Sequence, residues 1–375
     1  MNERAVEQET DRRPSQPRLR LAPQTTARSP FISVIVPVRN EAAFLADTLH
    51  QLLEQSYDRG RFEVIVADGR STDDTRTIVA ALQSRYANLH LLDNPRQWSS
   101  AGRNAAVRAA RGEIILLVDG HCDLRNPHYL LHLAEAFTES CADCVGRPQP
   151  LDVTGATDLQ RAIAAARASR LGHHPASHIY SDREGYVPPH SVAIAYRREV
   201  FDTVGLFDEA FDACEDVEFN HRVARAGMTC WFTPGVQVHY YPRASLTGLF
   251  RQMVRYGRGR VRLLRKHPDT LSLPGFVPAA FVAGVVLGPL LAAWSASLGL
   301  LYVGALGVYA ATLLLTSAAL SLRRRDLRLL PVLPLVFLAI HAGAGAGVWC
   351  ELLLGPRRTP EGKVLAEAEP LRRAA

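Results

Sequence analysis

A chain of 375 residues has room for one large domain or two ordinary ones, and its 47% hydrophobic and 21% charged residues are close to globular values. The formal net charge is +6, and the basic excess clusters in residues 1–30 and beside apolar segments. That distribution points away from a nucleic-acid partner and toward a membrane surface.

Residues 1–30 are polar and rich in Arg and Pro, and read as a disordered tail without the apolar stretch of a signal peptide. Ile32–Val36 then reads as a buried strand, with Asn40 as N-cap of a helix carrying Leu45, Leu49, Leu52 and Leu53 on one face. Phe62–Ala67 is the second strand, and Ser71-x-x-Asp74 resembles a capping box opening the next helix. Leu89–Leu92 is a third strand, followed by an Ala-rich helix from Ser100 to Ala110. Glu113–Val118 is a fourth, a continuous apolar run of the kind buried on both sheet faces. Farther on, 152–170 reads as helix, 173–189 as a surface loop or lid, 191–196 as strand, 197–205 as a short helix, and 214–225 as a helix ended by Gly227. Residues 246–269 place Leu246, Leu249, Phe250, Met253, Val254, Gly257, Val261 and Leu264 at helical spacing, with Arg between them. That is a basic amphipathic helix suited to a membrane surface.

From Thr270 to Leu322 no Asp, Glu, Lys, Arg or His occurs, and Leu329–Cys350 is broken only by His341. A span needs about 20 apolar residues, so 270–352 holds two or three membrane helices, with a polar tail over 353–375. Arg251, Arg255, Arg258, Arg260, Arg262, Arg265 and Lys266 precede the first span, and Arg323, Arg324, Arg325 and Arg328 follow the second. Basic flanks mark the cytoplasmic side. The expected location is therefore the cell's inner membrane, multi-pass, with the domain over 31–245 in the cytoplasm. A third span would put Arg357 and Arg358 outside, whereas Pro331 and Pro334 leave open a re-entrant or interfacial segment. Six cysteines include a lone Cys141-x-x-Cys144 with no second pair, which reads as buried structural thiols in a reducing setting.

Alternation of strands and helices predicts an α/β fold, a mostly parallel sheet with helices on both faces. Ligands in such sheets bind at the strand C-termini. Asp68 ends the second strand and Asp119 the fourth; each could equally be a turn residue alone. No P-loop occurs, and Gly257-Arg258-Gly259 lacks the strand–helix setting of a dinucleotide motif. Asp119-Gly120-His121 offers an oxygen and an imidazole to a divalent cation carrying substrate phosphates, although a turn with a solvated His has the same sequence. Asp123 serves the site or caps a helix. Glu215-Asp216 enters a helix N-terminus, where acidic residues answer the helix dipole or supply a general base. His173, His174, His178 and His190 fit no common zinc spacing.

Taken in order, Ser33-Val34-Ile35-Val36-Pro37-Val38-Arg39-Asn40-Glu41, Val66-Ala67-Asp68-Gly69 with Ser71-Thr72-Asp73-Asp74-Thr75, Ala101-Gly102-Arg103-Asn104, Asp119-Gly120-His121 and Glu215-Asp216 resemble family 2 glycosyltransferases of the GT-A fold. The likeness covers 31–266 and is nearest to succinoglycan-type β-glucosyltransferases of exopolysaccharide assembly. It implies that Pro37, Glu41 and Asp68 line a nucleoside pocket and that Arg103 lies near the base or diphosphate. Asp119 would meet the ribose and the metal-bound diphosphate, Asp216 would be the catalytic base, and Glu215 would help to hold the acceptor. His121 departs from the family, which has a second Asp there, so the metal pair would be Asp119 and His121 with Mg²⁺ or Mn²⁺. Gln252-x-x-Arg255-Tyr256 resembles the family's QxxRW acceptor motif, with Tyr for Trp. That motif is common in processive members, so a processive polysaccharide synthase is the alternative activity.

The implied partners are a nucleotide-diphosphate sugar donor, a polyprenyl-linked saccharide acceptor, membrane lipid and a polysaccharide-assembly complex. A nucleotidyltransferase would need a glycine-rich basic loop after the first strand, which Pro37–Glu41 is not. A membrane scaffold with a degenerate sugar-nucleotide domain is the reading from outside enzymology.

Overall fold

The computed structural model describes residues 29–173, 178–211 and 213–355. The expected tails over 1–30 and 353–375 lie outside these residues except at their inner ends, and so does His174. The order begins β1 (Ile32–Val38), α1 (Leu45–Leu53), β2 (Phe62–Asp68), α2 (Thr75–Gln83), β3 (Leu89–Asp93), α3 (Ser99–Ala109) and β4 (Ile114–Leu117). It continues through α4 (Tyr129–Ser140), β5 (Cys144–Gly146), α5 (Asp158–Arg167), β6 (Gly185–Val187), β7 (Ala193–Arg197), α6 (Arg198–Val204), α7 (Glu215–Arg225) and β8 (Cys230–Phe232). Four long helices close the chain: α8 (Leu246–Lys266), α9 (Leu273–Trp294), α10 (Ala296–Arg324) and α11 (Leu333–Leu354).

The strands form one sheet in the order β3-β2-β1-β4-β7-β5-β8-β6. The first four are mutually parallel, and β7 joins β4 antiparallel. Strand pleating sends alternate residues to opposite faces. Val34, Val36, Val64, Val66, Ile114 and Leu116 therefore meet α1, α2 and α4 on one side. Ile35, Ile65, Ile115 and Leu117 meet α3, α6 and α7 on the other. Both faces are covered, so these strands carry unbroken apolar runs rather than alternation.

Two expected caps are replaced by cross-loop bonds. Asn40 sits at φ 56° and its Oδ1 accepts from the Thr72 backbone at 2.8 Å, while α1 starts five residues later without a side-chain cap. Ser71 turns back to Asp68, and Asp73 instead accepts from Ala42 N and Thr75 N, both at 3.1 Å. The two loops after β1 and β2 are thereby tied to each other. The helix expected over 152–170 is confined to α5, which Thr157 opens with a capping box to Gln160. Such a box is worth about 1 kcal/mol. The 173–189 segment is mostly irregular, but β6 within it pairs with β8.

Helix α8 forms, yet its apolar stripe is not open to lipid. Leu249 and Met253 pack with Ala162, Ile163 and Ala166 of α5 and with Val336, Phe337 and Ile340 of α11. A charged clamp joins its far end to α7. Buried Glu218 accepts from Arg222 at 2.9 Å, pairs with Lys266 at 3.1 Å and meets His267 Nε2 at 3.0 Å. Helices α9, α10 and α11 are each long and apolar enough to cross a membrane. All six cysteines are free, and Cys122, Cys144 and Cys230 are buried.

Candidate active site

The parallel strands deliver their C-terminal ends to one edge, and the loops beyond them hold the predicted residues. Val38 pairs with Asp68, and Asp68 with Asp93. Asp68 is fully buried and accepts from Arg76 at 2.7 Å; the same guanidinium reaches Asp93 at 3.4 Å. Ser71 also donates to Asp68, through both its amide and its hydroxyl. Asp68, expected to line the nucleoside pocket, is thus engaged by Ser71 and Arg76 from its own loop and the following helix.

Pro37 lies beside Gly102 of α3: a Cβ at that glycine would stand 3.0 Å from Asn94 Nδ2 and 3.5 Å from Pro37 Cβ. A side chain there would press on the Asn94 amide, so the glycine eases a close approach of the helix to the strand ends. The next two residues use that proximity. Arg103 reaches Asp119 at 3.4 Å and Glu215 at 3.2 Å. Asn104 exchanges two 2.9 Å bonds with the backbone of Phe207, and Ser100 donates to Phe211 O at 3.1 Å. One face of α3 therefore anchors the segment that leads into Glu215-Asp216.

At the end of β4, Asp119 Oδ2 accepts from the Tyr240 hydroxyl at 2.9 Å. His121 Nδ1 meets Glu41 Oε1 at 3.2 Å, and its ring stands edge-on to Tyr240 with centroids 5.8 Å apart. Gly120 packs on Val38 and Glu41, which joins the first and fourth loops. Asp119, His121, Glu41, Arg103 and Glu215 thus belong to one connected group. Asp216, exposed in the first turn of α7, adds its charge to Arg103 and Glu215.

Charge balance divides the acids into two kinds. Burial pushes the Asp119 carboxyl up, but Arg103, His121, the Tyr240 bond and Arg147 outweigh it and hold the group below its usual range. Burial pushes Glu215 up, and although Arg103 opposes this, Asp216 and Asp119 add to it, leaving Glu215 above its usual value. For His121 burial disfavours the charge, while Glu41 and Asp119 more than restore it. Burial also disfavours the Arg103 charge, and Glu215, Asp119 and Asp216 override it. Asp119 thus stays a carboxylate, the form that binds a cation, whereas His121 must release the proton that Glu41 and Asp119 favour before it can ligate one.

Asp119 and His121 both remain partly exposed at the mouth. With Glu41 they offer hard oxygens and one imidazole. They do not form a closed three-ligand cluster among the described residues. That fits a cation held partly by substrate phosphates rather than a structural metal site.

Gln252, Arg255 and Tyr256 lie on α8. Gln252 Nε2 meets the Tyr256 hydroxyl at 3.3 Å, and Arg167 stands 5.7 Å over the Tyr256 ring. Of the three, Tyr256 comes near the centre, its carbonyl 4.0 Å from the sulfur of Cys214, one residue before Glu215. Asp123 pairs with Gln51 and Arg125 and bridges to His239, and it lines one cavity with His121.

Tyr240 and Arg147 were not anticipated. Tyr240 is placed by backbone bonds to Pro150 and Asp152. Arg147 is fully enclosed behind Asp119 and donates to the Tyr129 hydroxyl at 2.7 Å. Neither has a local signal, because each depends on partners at least 18 residues away. Glu209, bonded to Asn104 at 2.9 Å, was missed for the same reason.

Comparison with known proteins agrees with this architecture. A sequence model described as Glycosyl transferase family 2 matches residues 33–205. The Succinoglycan biosynthesis protein ExoA of Rhizobium meliloti is 33% identical over 87% of this chain and 96% of its own length. A Methanococcus voltae dolichyl N-acetyl-alpha-D-glucosaminyl phosphate 3-beta-D-2,3-diacetamido-2,3-dideoxy-beta-D-glucuronosyltransferase is 24% identical over 63% of this chain and 74% of its own. Among solved structures, the mannosyltransferase PcManGT from Pyrobaculum calidifontis, in complex with GDP-Man and Mn²⁺, shares the fold with a TM-score of 0.56. It is 23% identical over 87% of this chain and 88% of that one. The sheet order, the ordered strand-end motifs and these likenesses lead to one conclusion: the chain belongs to glycosyl transferase family 2 and has the GT-A fold, followed by three candidate membrane helices.

Proposed function

We propose that this chain is an inverting hexosyltransferase that moves a sugar from a nucleoside-diphosphate sugar to a hydroxyl of a polyprenyl-linked saccharide. Its place is exopolysaccharide or cell-surface glycan synthesis, at the cytoplasmic face of the inner membrane. The observation that carries the reading is Arg103, which links Asp119 on the donor side to Glu215 beside Asp216. Pro37, Glu41 and Asp68 line the nucleoside side of this centre. Asp119 and a deprotonated His121 would hold Mg²⁺ or Mn²⁺, which would supply positive charge to a diphosphate leaving group. Asp216 accepts the proton of the acceptor hydroxyl as that oxygen attacks the anomeric carbon and the carbon–diphosphate bond breaks. A single in-line displacement inverts the centre, so an α-linked donor gives a β-glycoside. Glu215, held by Arg103, orients the acceptor, and Gln252, Arg255 and Tyr256 border its path. The likeness to the dolichyl phosphate transferase supports a lipid-linked acceptor, and that to ExoA supports a place in polysaccharide synthesis. Because the Gln252–Tyr256 pair lies beside Cys214, a processive synthase is the second reading.

The test is nucleoside diphosphate release by the purified full chain, screened over donors with Mg²⁺ or Mn²⁺ and a polyprenyl-linked saccharide. Acceptor-dependent release, with label moving to the lipid fraction, is expected. No acceptor-dependent release from any donor would reduce the chain to a scaffold. Product length separates one transfer from polymerisation.

A further inference from the structure

We infer that α11 does not cross the membrane: it lies beside α8 in the lipid leaflet nearest the catalytic domain, and only α9 and α10 span. The helices α8 and α11 run in the same direction at a fixed register. Glu351 meets Arg258, 93 residues earlier, at 2.8 Å, and two more contacts keep that offset. A Cβ at Gly347 would strike the Val254 carbonyl, and one at Gly343 would stand 2.8 Å from the Phe250 carbonyl. A Cβ at Gly257 would in turn strike the Ala344 carbonyl, so the backbones nearly touch. Glycines on facing surfaces are what such an approach requires.

Side-by-side packing makes the two helices share one depth and tilt. Helix α8 cannot cross: it carries seven Arg and Lys residues, of which Arg251, Arg255, Arg260 and Arg265 are exposed. Arginines along a spanning helix would be held in hydrocarbon, which is costly. The helix is also fastened to the catalytic domain through Lys266–Asp208 at 2.5 Å and His267–Glu218 at 3.0 Å. Helix α11 touches that domain as well, through His341 and the Leu171 carbonyl at 3.0 Å. Glu351 is fully buried and paired with Arg262 at 2.9 Å. An acid neutralised by arginines of an interfacial helix belongs at the interface.

The other two helices behave differently. The candidate spans in α9 and α10 are 11% and 6% buried, against 44% for α11. Their contacts with α11 lie in the half of each helix nearest the catalytic domain: in α9 Pro278, whose carbonyl a Cβ at Gly345 would strike, Ala279 and Val282, and in α10 Tyr309, Leu313 and Leu320. Toward their connection they touch each other, where Tyr302 fills the space over Gly288. The chain after α10 is back at the catalytic domain, where Asp326 pairs with Arg161 at 3.2 Å. The partner surface is thus a lipid leaflet. Leu335, Leu338, Leu352, Leu353 and Leu354 of α11 face its acyl chains, and the exposed arginines of α8 reach the phosphate headgroups.

The consequence is that the chain before α9 and the chain leaving α11 lie on one side and the α9–α10 connection on the other. The test uses the full chain with an epitope tag at each terminus and Ser297→Cys, an exposed position next to that connection. In sealed spheroplasts an impermeant maleimide is expected to label Ser297→Cys above the parent chain. The C-terminal tag, like the N-terminal one, is expected to be reached by antibody only after permeabilisation. The inference is overturned if the C-terminal tag and position 297 report the same side. Neither readout depends on transferase activity.

Discussion

Asp216 and Tyr240 lie at the same centre, and if Asp216 is the proposed base their variants should separate. Asp216→Asn keeps the volume and removes the base, so turnover should fall by about 10²–10⁴-fold. Donor binding should stay near that of the parent, as measured by calorimetry. Undiminished turnover would remove Asp216 from the base role. Tyr240→Phe deletes the hydroxyl that donates to Asp119 at 2.9 Å but keeps the ring beside His121. Losing a bond to a charged acceptor costs roughly 1.5–3 kcal/mol. We expect the thermal midpoint to fall by several degrees and the Mn²⁺ titration of activity to move as well; a lower midpoint with an unmoved titration would leave the hydroxyl a structural role only. The motif residues were legible because each follows a strand end or opens a helix. Tyr240 was not, since its place is set by bridges to loops far away in sequence.

Between elements, the Glu218 clamp sets how α7 sits against the end of α8. Burial pushes Glu218 up, but Arg222, His267 and Lys266 overcome this and lower it to about 2. A depressed carboxyl contributes stability above its unfolded value of about 4.5, and that stability is lost as pH falls toward 2. A shift of this size corresponds to roughly 3 kcal/mol at most. Glu218→Gln should therefore lower the thermal midpoint at pH 7, with the gap to the parent narrowing below pH 4.5; a constant gap would exclude the clamp. Along α8 and α11, Gly347→Val puts a branched side chain against the Val254 carbonyl. Overpacking of this kind costs about 1–3 kcal/mol, measurable as a lower midpoint in detergent. The strands β1 to β4 could be read from their apolar runs. The strands β5, β6 and β8 have three residues each, too few for any period, and exist only because neighbours supply their bonds. Helix α4 does carry the spacing, with Leu130, Leu133 and Phe137 buried on one face, and was nonetheless not assigned.

At the scale of the molecule, a glycosyltransferase domain is joined to membrane helices through the paired α8 and α11. Because α9 and α11 cover Val261 and α11 covers part of Leu249 and Met253, truncation after His267 should expose Val261 and the parts of Leu249 and Met253 that α5 leaves uncovered. Such a chain has no spanning helix left, yet it should still float with anionic vesicles and release more readily at high salt. A soluble, non-floating product would show that the stripe needs no cover. Sequence alone determined the parallel-sheet domain, the order of its strand-end motifs and the apolar length of the tail. Those properties follow from local burial and charge, which each segment displays by itself. Tertiary structure decided which residues share the centre: Arg103 between Asp119 and Glu215, Tyr240 on Asp119, and Glu41 against His121. It also set α11 against α8, a pairing made by backbone approach at glycines and by a buried acid meeting distant arginines. No hydropathy profile contains that information, because it resides in which two helices touch.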